Sequence, residues 1–128
     1  MTNKEKKLLI VDLCARLPYG LKVGYGSWET DYGVSELTGF RAITRNGHVD
    51  YVFLLGDTTQ HDADEIKPYL RPLCSITEGE RKEFLMLPFS DVSWHERTDW
   101  LNAHHFDFRG LIPMGLALPA SKDIYETE

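Results

Sequence analysis

The sequence predicts an α+β fold: an N-terminal helix, a small bent antiparallel sheet of three to five strands, and short C-terminal helices. Three observations predict it. Apolar residues recur at helical spacing before Pro18, alternation with a period of two follows from Gly20, and a helix-start pattern reappears at Thr77. Short strands and glycines at positions 20, 24, 26, 33 and 39 let such a sheet curl towards a partly open small barrel. The 128 residues carry no repeat, linker or low-complexity tract, so one domain over 1–128 is expected, with a polar tail over about 120–128 that frays.

The elements follow in order. Thr2-x-x-Glu5 is a capping-box pattern that starts the first helix. Leu9, Leu13 and Leu17 line one side, while Lys4, Lys7, Asp12 and Arg16 suit a solvated one. Pro18 disfavours helical geometry at Leu17 and ends the run. Leu21, Val23 and Tyr25 then alternate with Lys22, Gly24 and Gly26 as a short strand, and Ser27 to Gly33 reads as a loop.

Asn46-Gly47 is the pair favoured in a type I′ hairpin turn, where both central residues need positive φ. A two-residue loop there places Arg45 opposite His48, Thr44 opposite Val49, Ala42 opposite Tyr51 and Phe40 opposite Phe53. Phe40, Ala42, Val49, Tyr51 and Phe53 then share a face, expected to meet the core. Arg41, Ile43, Asp50, Val52 and Leu54 share the other, expected to be covered less completely.

Gly56 to Glu65 reads as an exposed acidic loop without a basic residue. Ile66 to Leu73 holds Pro68 and Pro72, which points to an extended edge segment or a turn rather than a central strand. Thr77-x-x-Glu80 starts a second helix that stops before Pro88, and a third is expected over about Thr98 to His105. The apolar run Phe106–Leu118, broken by glycine and proline, is expected to wrap the core.

Fourteen Lys and Arg against twenty Asp and Glu leave a net charge of −6, which argues against a general nucleic-acid or anionic-membrane binder. Lys4, Lys6 and Lys7 precede four apolar residues, but Asp12 cuts the run short of a signal-peptide core. Nothing approaches the ~20 apolar residues of a spanning helix. Cys14 and Cys74 fit two reduced, mostly buried thiols in a cytoplasmic protein.

The densest polar stretch runs from Trp94 to Arg109. A metal site there lacks ligand spacing such as His-Glu-x-x-His, so neither metal nor cofactor is expected. An acid–base site would pair His104 or His105 with Asp107, but no nucleophile lies near in sequence. Phosphate-binding glycine loops are absent, and Gly24-Tyr25-Gly26 fits a bent strand. Arg71, Arg81, Lys82, Arg97 and Arg109 fit ordinary ion pairing, given Glu78, Glu80, Glu83 and Asp99 beside them.

Three blocks, Asp12–Gly20, Lys67–Pro72 and Trp100–Leu118, resemble those of a family of small uncharacterised proteins of gut anaerobic bacteria and their mobile elements. The resemblance implies a shared frame around a variable sheet and carries over no catalytic residue. It suggests where a shared binding site would lie: Arg16, Tyr19, Tyr69, Arg71, His104, His105, Asp107 and Arg109. Three readings of function follow, in this order. The first is a non-enzymatic binding or interaction module with a protein partner. The second is a small hydrolase using His104, His105 or Asp107. The third is an acidic inhibitor or nucleic-acid mimic using the carboxylates of 57–65.

Overall fold

The computed structural model describes residues 2–27, 31–56, 59–87, 94–120 and Tyr125. Helix α1 (Asn3–Arg16) starts at the expected box: Thr2 Oγ1 accepts from the Glu5 N–H at 3.1 Å, and Glu5 Oε1 accepts from the Thr2 N–H at 3.0 Å. Pro18 sits in a 3₁₀ turn, Leu17–Tyr19, and Gly20 closes it with φ +69°, a left-handed conformation that favours glycine.

Six strands follow: β1 (Lys22–Ser27), β2 (Asp31–Arg45), β3 (His48–Leu55), β4 (Gln60–Asp62), β5 (Ile66–Leu70) and β6 (Leu118–Pro119). They form one sheet in the order β4-β3-β2-β1-β5-β6. The sheet is larger than expected and mixed, because β6 runs parallel to β5. It stays open, since its ends, β4 and β6, do not pair with each other. Helices α2 (Glu78–Leu85) and α3 (Trp94–Ala103) complete the fold. The Thr77–Glu80 box caps α2 as expected, whereas α3 begins four residues early and ends before His104.

Strand β2 serves two partners in succession. Its Asp31–Glu36 half pairs with β1, and its Leu37–Arg45 half pairs with β3 across a register shift at Leu37/Gly39. Such a bulge bends a strand and sharpens its twist. Asp31–Gly33, expected in a loop, therefore extend the sheet, while Trp28–Thr30 lie outside the described residues. The β2–β3 hairpin has the expected register, and its turn residues Asn46 and Gly47 take φ of 51° and 80°.

Burial on the hairpin departs from the expectation. Phe53 is fully buried and Tyr51 half-buried, but Phe40, Ala42 and Val49 on the same face are exposed. The reason is reach. β4 pairs only with Val52–Leu54 and β1 only with the first half of β2, so the hairpin beyond Phe40 projects as a two-stranded ribbon.

Other segments differ too. Gly56–Glu65 is not a free loop: it contains β4 and a 3₁₀ turn, Ala63 is buried, and Arg45 pairs with Asp62 at 3.0 Å. Asp57 lies outside the described residues. β5 is an interior strand despite Pro68. Its β6 partner engages only Tyr69 and Leu70, so Pro68, which has no N–H to donate, has β1 as its single neighbour and leaves no second strand without a donor. Of the polar tail, 121–124 and 126–128 lie outside the described residues, and Tyr125 is docked against Lys22 and Tyr69. Cys14 and Cys74 are free thiols, and Cys74, expected to be covered, is exposed.

The core sits between α1 and the centre of the sheet. Leu9 and Leu13 meet Leu21, Val23, Leu37, Phe53, Ile66 and Leu70, and Leu111, Leu116 and Ala117 wrap over them as expected. No helix among the described residues is long and apolar enough to cross a membrane.

Candidate functional site

The residues singled out at the end of α1, in β5 and in the C-terminal block converge in space, but in two different roles. Behind the surface lies an ionic node. Asp12 and Arg16, expected on a solvated side of α1, are both fully buried. The Arg16 Nε donates to both Asp12 oxygens at 3.1 and 3.0 Å, and Arg109 Nη1 donates to Asp12 Oδ1 and to Asn102 Oδ1. Arg16 Nη2 reaches the Phe106 carbonyl, and both guanidiniums lie over the Phe108 ring. The i, i+4 spacing of Asp12 and Arg16 on a helix makes their pairing local; Arg109 arrives only through the fold.

Asp107 also acts on the main chain. Its Oδ1 accepts from the Leu111 N–H at 2.8 Å and its Oδ2 from the Ile112 N–H at 2.9 Å, which closes the turn leading into the core-wrapping segment. Among the described residues, neither oxygen hydrogen-bonds an imidazole. Arg71 donates its N–H to the His105 carbonyl and accepts from the Asp107 N–H, tying β5 to the C-terminal block.

In front of this node opens a cleft of about 630 Å³, whose wall includes Tyr19, Arg71, His104, His105 and Tyr125. Arg71 makes two 2.7 Å hydrogen bonds to Glu80 and lies 4.2 Å from the centre of the Phe106 ring. Those Arg71 bonds hold the Glu80 carboxyl well below its usual range, at about 2. His104 stacks on Trp100, with its Nδ1 2.9 Å from the Trp100 carbonyl. His105 takes φ +60° just past α3 and stacks on Tyr125 at 4.0 Å. Burial, reinforced by the Arg16 charge, pushes its imidazole down to about 4, so it is neutral at pH 7, and its buried Nδ1 has no hydrogen-bond partner among the described residues. Tyr69 is buried, and its carbonyl accepts from the Tyr125 hydroxyl at 2.6 Å.

Of the eight expected residues, Tyr19, Arg71, His104 and His105 face the cleft, Tyr69 lies beneath it, and Arg16, Asp107 and Arg109 hold the scaffold. Lys22, Glu36, Glu80 and Tyr125 were missed on the cleft wall. The Lys22–Glu36 pairing was legible only from the β1–β2 register, which the reading of Ser27–Gly33 as a loop concealed. The arginines expected to pair on the surface divide: Arg97 and Arg109 are packed inward over Phe84 and Phe108, while Arg81 and Lys82 stay exposed.

A second concavity was not expected at all. α1 and the hairpin ribbon flank an open groove of about 450 Å³ lined by Ile10, Val11, Val49 and Tyr51. Val11 is 52% exposed and Val49 67%. Three cations, Lys6, Lys7 and Arg45, line it against one carboxylate, Asp50, on a chain of net charge −6. Lys6 and Arg45 approach Asp50 at 3.3 and 3.6 Å, and Arg45 also pairs with Asp62; Lys7 makes no such contact among the described residues.

Among the described residues no group of three or more His, Cys, Asp or Glu side chains is placed to hold a metal ion. Comparison with protein-family models, curated proteins and solved structures finds no match.

Proposed function

We propose that the chain is a non-catalytic binding module that docks an acidic, partly apolar segment of a partner protein in the groove between α1 and the β2–β3 ribbon. The observation that carries this reading is the pairing of Val11 and Val49, two exposed valines on one groove flanked by an excess of cations. Exposed apolar surface with a polar rim is what a protein contact uses, because covering it releases water at both partners. The cations select an acidic partner against the negative field of the rest of the chain. Acid–base catalysis by His104, His105 and Asp107 draws no support from the geometry, since both Asp107 oxygens are engaged by main-chain N–H groups.

Selection of displayed peptides on the immobilised protein tests this reading. Enriched sequences should be acidic with interspersed apolar residues. Both Val49→Glu and Lys7→Glu, at exposed positions that leave the fold intact by circular dichroism, should weaken binding by at least roughly tenfold. No enrichment, enrichment of basic sequences, or equal binding by the variants would overturn it.

A further inference from the structure

The cleft in front of the ionic node carries an independent inference. Lys22 of β1 and Glu36 of β2 are direct cross-strand partners, so their side chains leave the same face of the sheet, and both line the cleft. The other two charges on its wall, Arg71 and Glu80, are locked together by two 2.7 Å hydrogen bonds. Lys22 and Glu36 behave differently: neither the ammonium nor the carboxylate makes an ion pair within 4.0 Å with a described residue. The cleft thus presents one charge of each sign that is not held in an ion pair among the described residues.

The surroundings leave room for these groups at the cleft. A Cβ at Gly20 would come within 2.9 Å of Glu36 Oε1, so the absence of a side chain at Gly20, whose φ of +69° already favours glycine, makes room for that carboxylate. The Lys22 main chain is pinned by Tyr125, whose hydroxyl accepts from the Lys22 N–H at 3.0 Å. His105 adds no third charge near neutral pH, and the rings of Tyr19, His104 and Tyr125 supply flat walls. About 630 Å³ falls in the range of small-molecule sites.

We propose that this cleft binds a small zwitterion of the α-amino acid type, with its carboxylate towards Lys22 and its ammonium towards Glu36. A ligand carrying only one charge would leave the opposite protein charge unmatched, so the zwitterion is the preferred class. The aromatic and imidazole walls favour a ligand with a flat side chain.

Amide chemical-shift titration of the full chain with phenylalanine, N-acetylphenylalanine and phenethylamine separates the two charges, and glycine reports the contribution of the side chain. Saturable shifts at residues of β1 and β2 around Lys22 and Glu36 are expected with phenylalanine. Each single-charge analogue should bind roughly fivefold more weakly. Glu36→Gln should remove the preference for phenylalanine over N-acetylphenylalanine, and Lys22→Met the preference over phenethylamine, with the groove peptides still bound by both variants. Absence of saturable shifts with phenylalanine and glycine, equal binding of the analogues, or preferences unchanged in the variants would overturn the proposal.

Discussion

Asp12 and Arg109 stand 97 positions apart and form a direct hydrogen-bonded ion pair, while Arg16 holds the same carboxylate from one helical turn away. One buried anion therefore joins α1 to the C-terminal block and serves two guanidiniums. The arrangement is asymmetric in energy. Replacing a whole buried ionic set by apolar groups of similar volume is often neutral, but removing one partner strands the other charge in a medium that solvates it poorly.

Asp12→Asn is accordingly expected to destabilise the fold by about 3–5 kcal/mol, because the buried Arg16 and the partly buried Arg109 lose their counter-charge. Urea unfolding followed by circular dichroism measures the change. Asp12→Leu combined with Arg16→Met and Arg109→Met should recover much of it. A loss below about 1 kcal/mol in the single variant would mean that the node contributes no more than a surface pair.

His105 makes stability depend on pH with a defined sign. Its unfolded value is near 6.5 and its folded value about 4, depressed first by burial and then by Arg16. The unfolded chain therefore takes up this proton first. The stability contributed by neutral His105 is complete above pH 6.5 and falls as pH drops towards 4. Between pH 6.5 and 4.5 the loss should be on the order of 2 kcal/mol. The Glu80 carboxyl, with an ordinary value of 4.5 lowered to about 2, makes its contribution disappear only below that window. His105→Phe keeps a ring against Tyr125 and should flatten the stability profile over pH 4.5–6.5. An identical slope in the variant would assign the dependence to other groups.

Phe53 and Val49 lie on the same face of β3 and should respond in opposite ways to truncation. Phe53→Ala, at a fully buried ring, is expected to cost about 3–5 kcal/mol. Val49→Ala, at a side chain 67% exposed, should stay within about 0.5 kcal/mol. Thermal unfolding of both variants checks the pair, and a large effect at Val49 would show that the ribbon tip is packed.

Much of the local chemistry, with partners a few residues apart, was legible in the sequence, although the Asp107 bonds to Leu111 and Ile112 were not. Both capping boxes, the Asn46-Gly47 turn and the hairpin register depend on hydrogen bonds and φ preferences confined to a handful of neighbours, and each occurs where its residues predict it. The role of the Phe106–Leu118 run was legible for a similar reason: glycine and proline exclude a regular element, and its apolar residues need cover. The candidate site was legible only as a set of blocks. Their convergence depends on contacts such as Arg16 to Phe106 and Arg71 to His105, which no local pattern encodes.

What the sequence by itself determined is thus the α+β class, the capped starts of α1 and α2 and the pairing of β2 with β3, all set by short-range stereochemistry. Tertiary structure alone decided which faces are covered. Period-two alternation places Phe40, Val49 and Phe53 on one side of a hairpin, but only the lengths of β1 and β4 determine that Phe53 is buried and the ribbon tip is not. Helical spacing likewise places Asp12 beside Arg16, and only the arrival of Arg109 and the C-terminal block turns an apparent surface pair into a buried node. Burial is a property of neighbours distant in sequence, and desolvation sets whether a charge or an apolar side chain stabilises the fold or remains available to a partner.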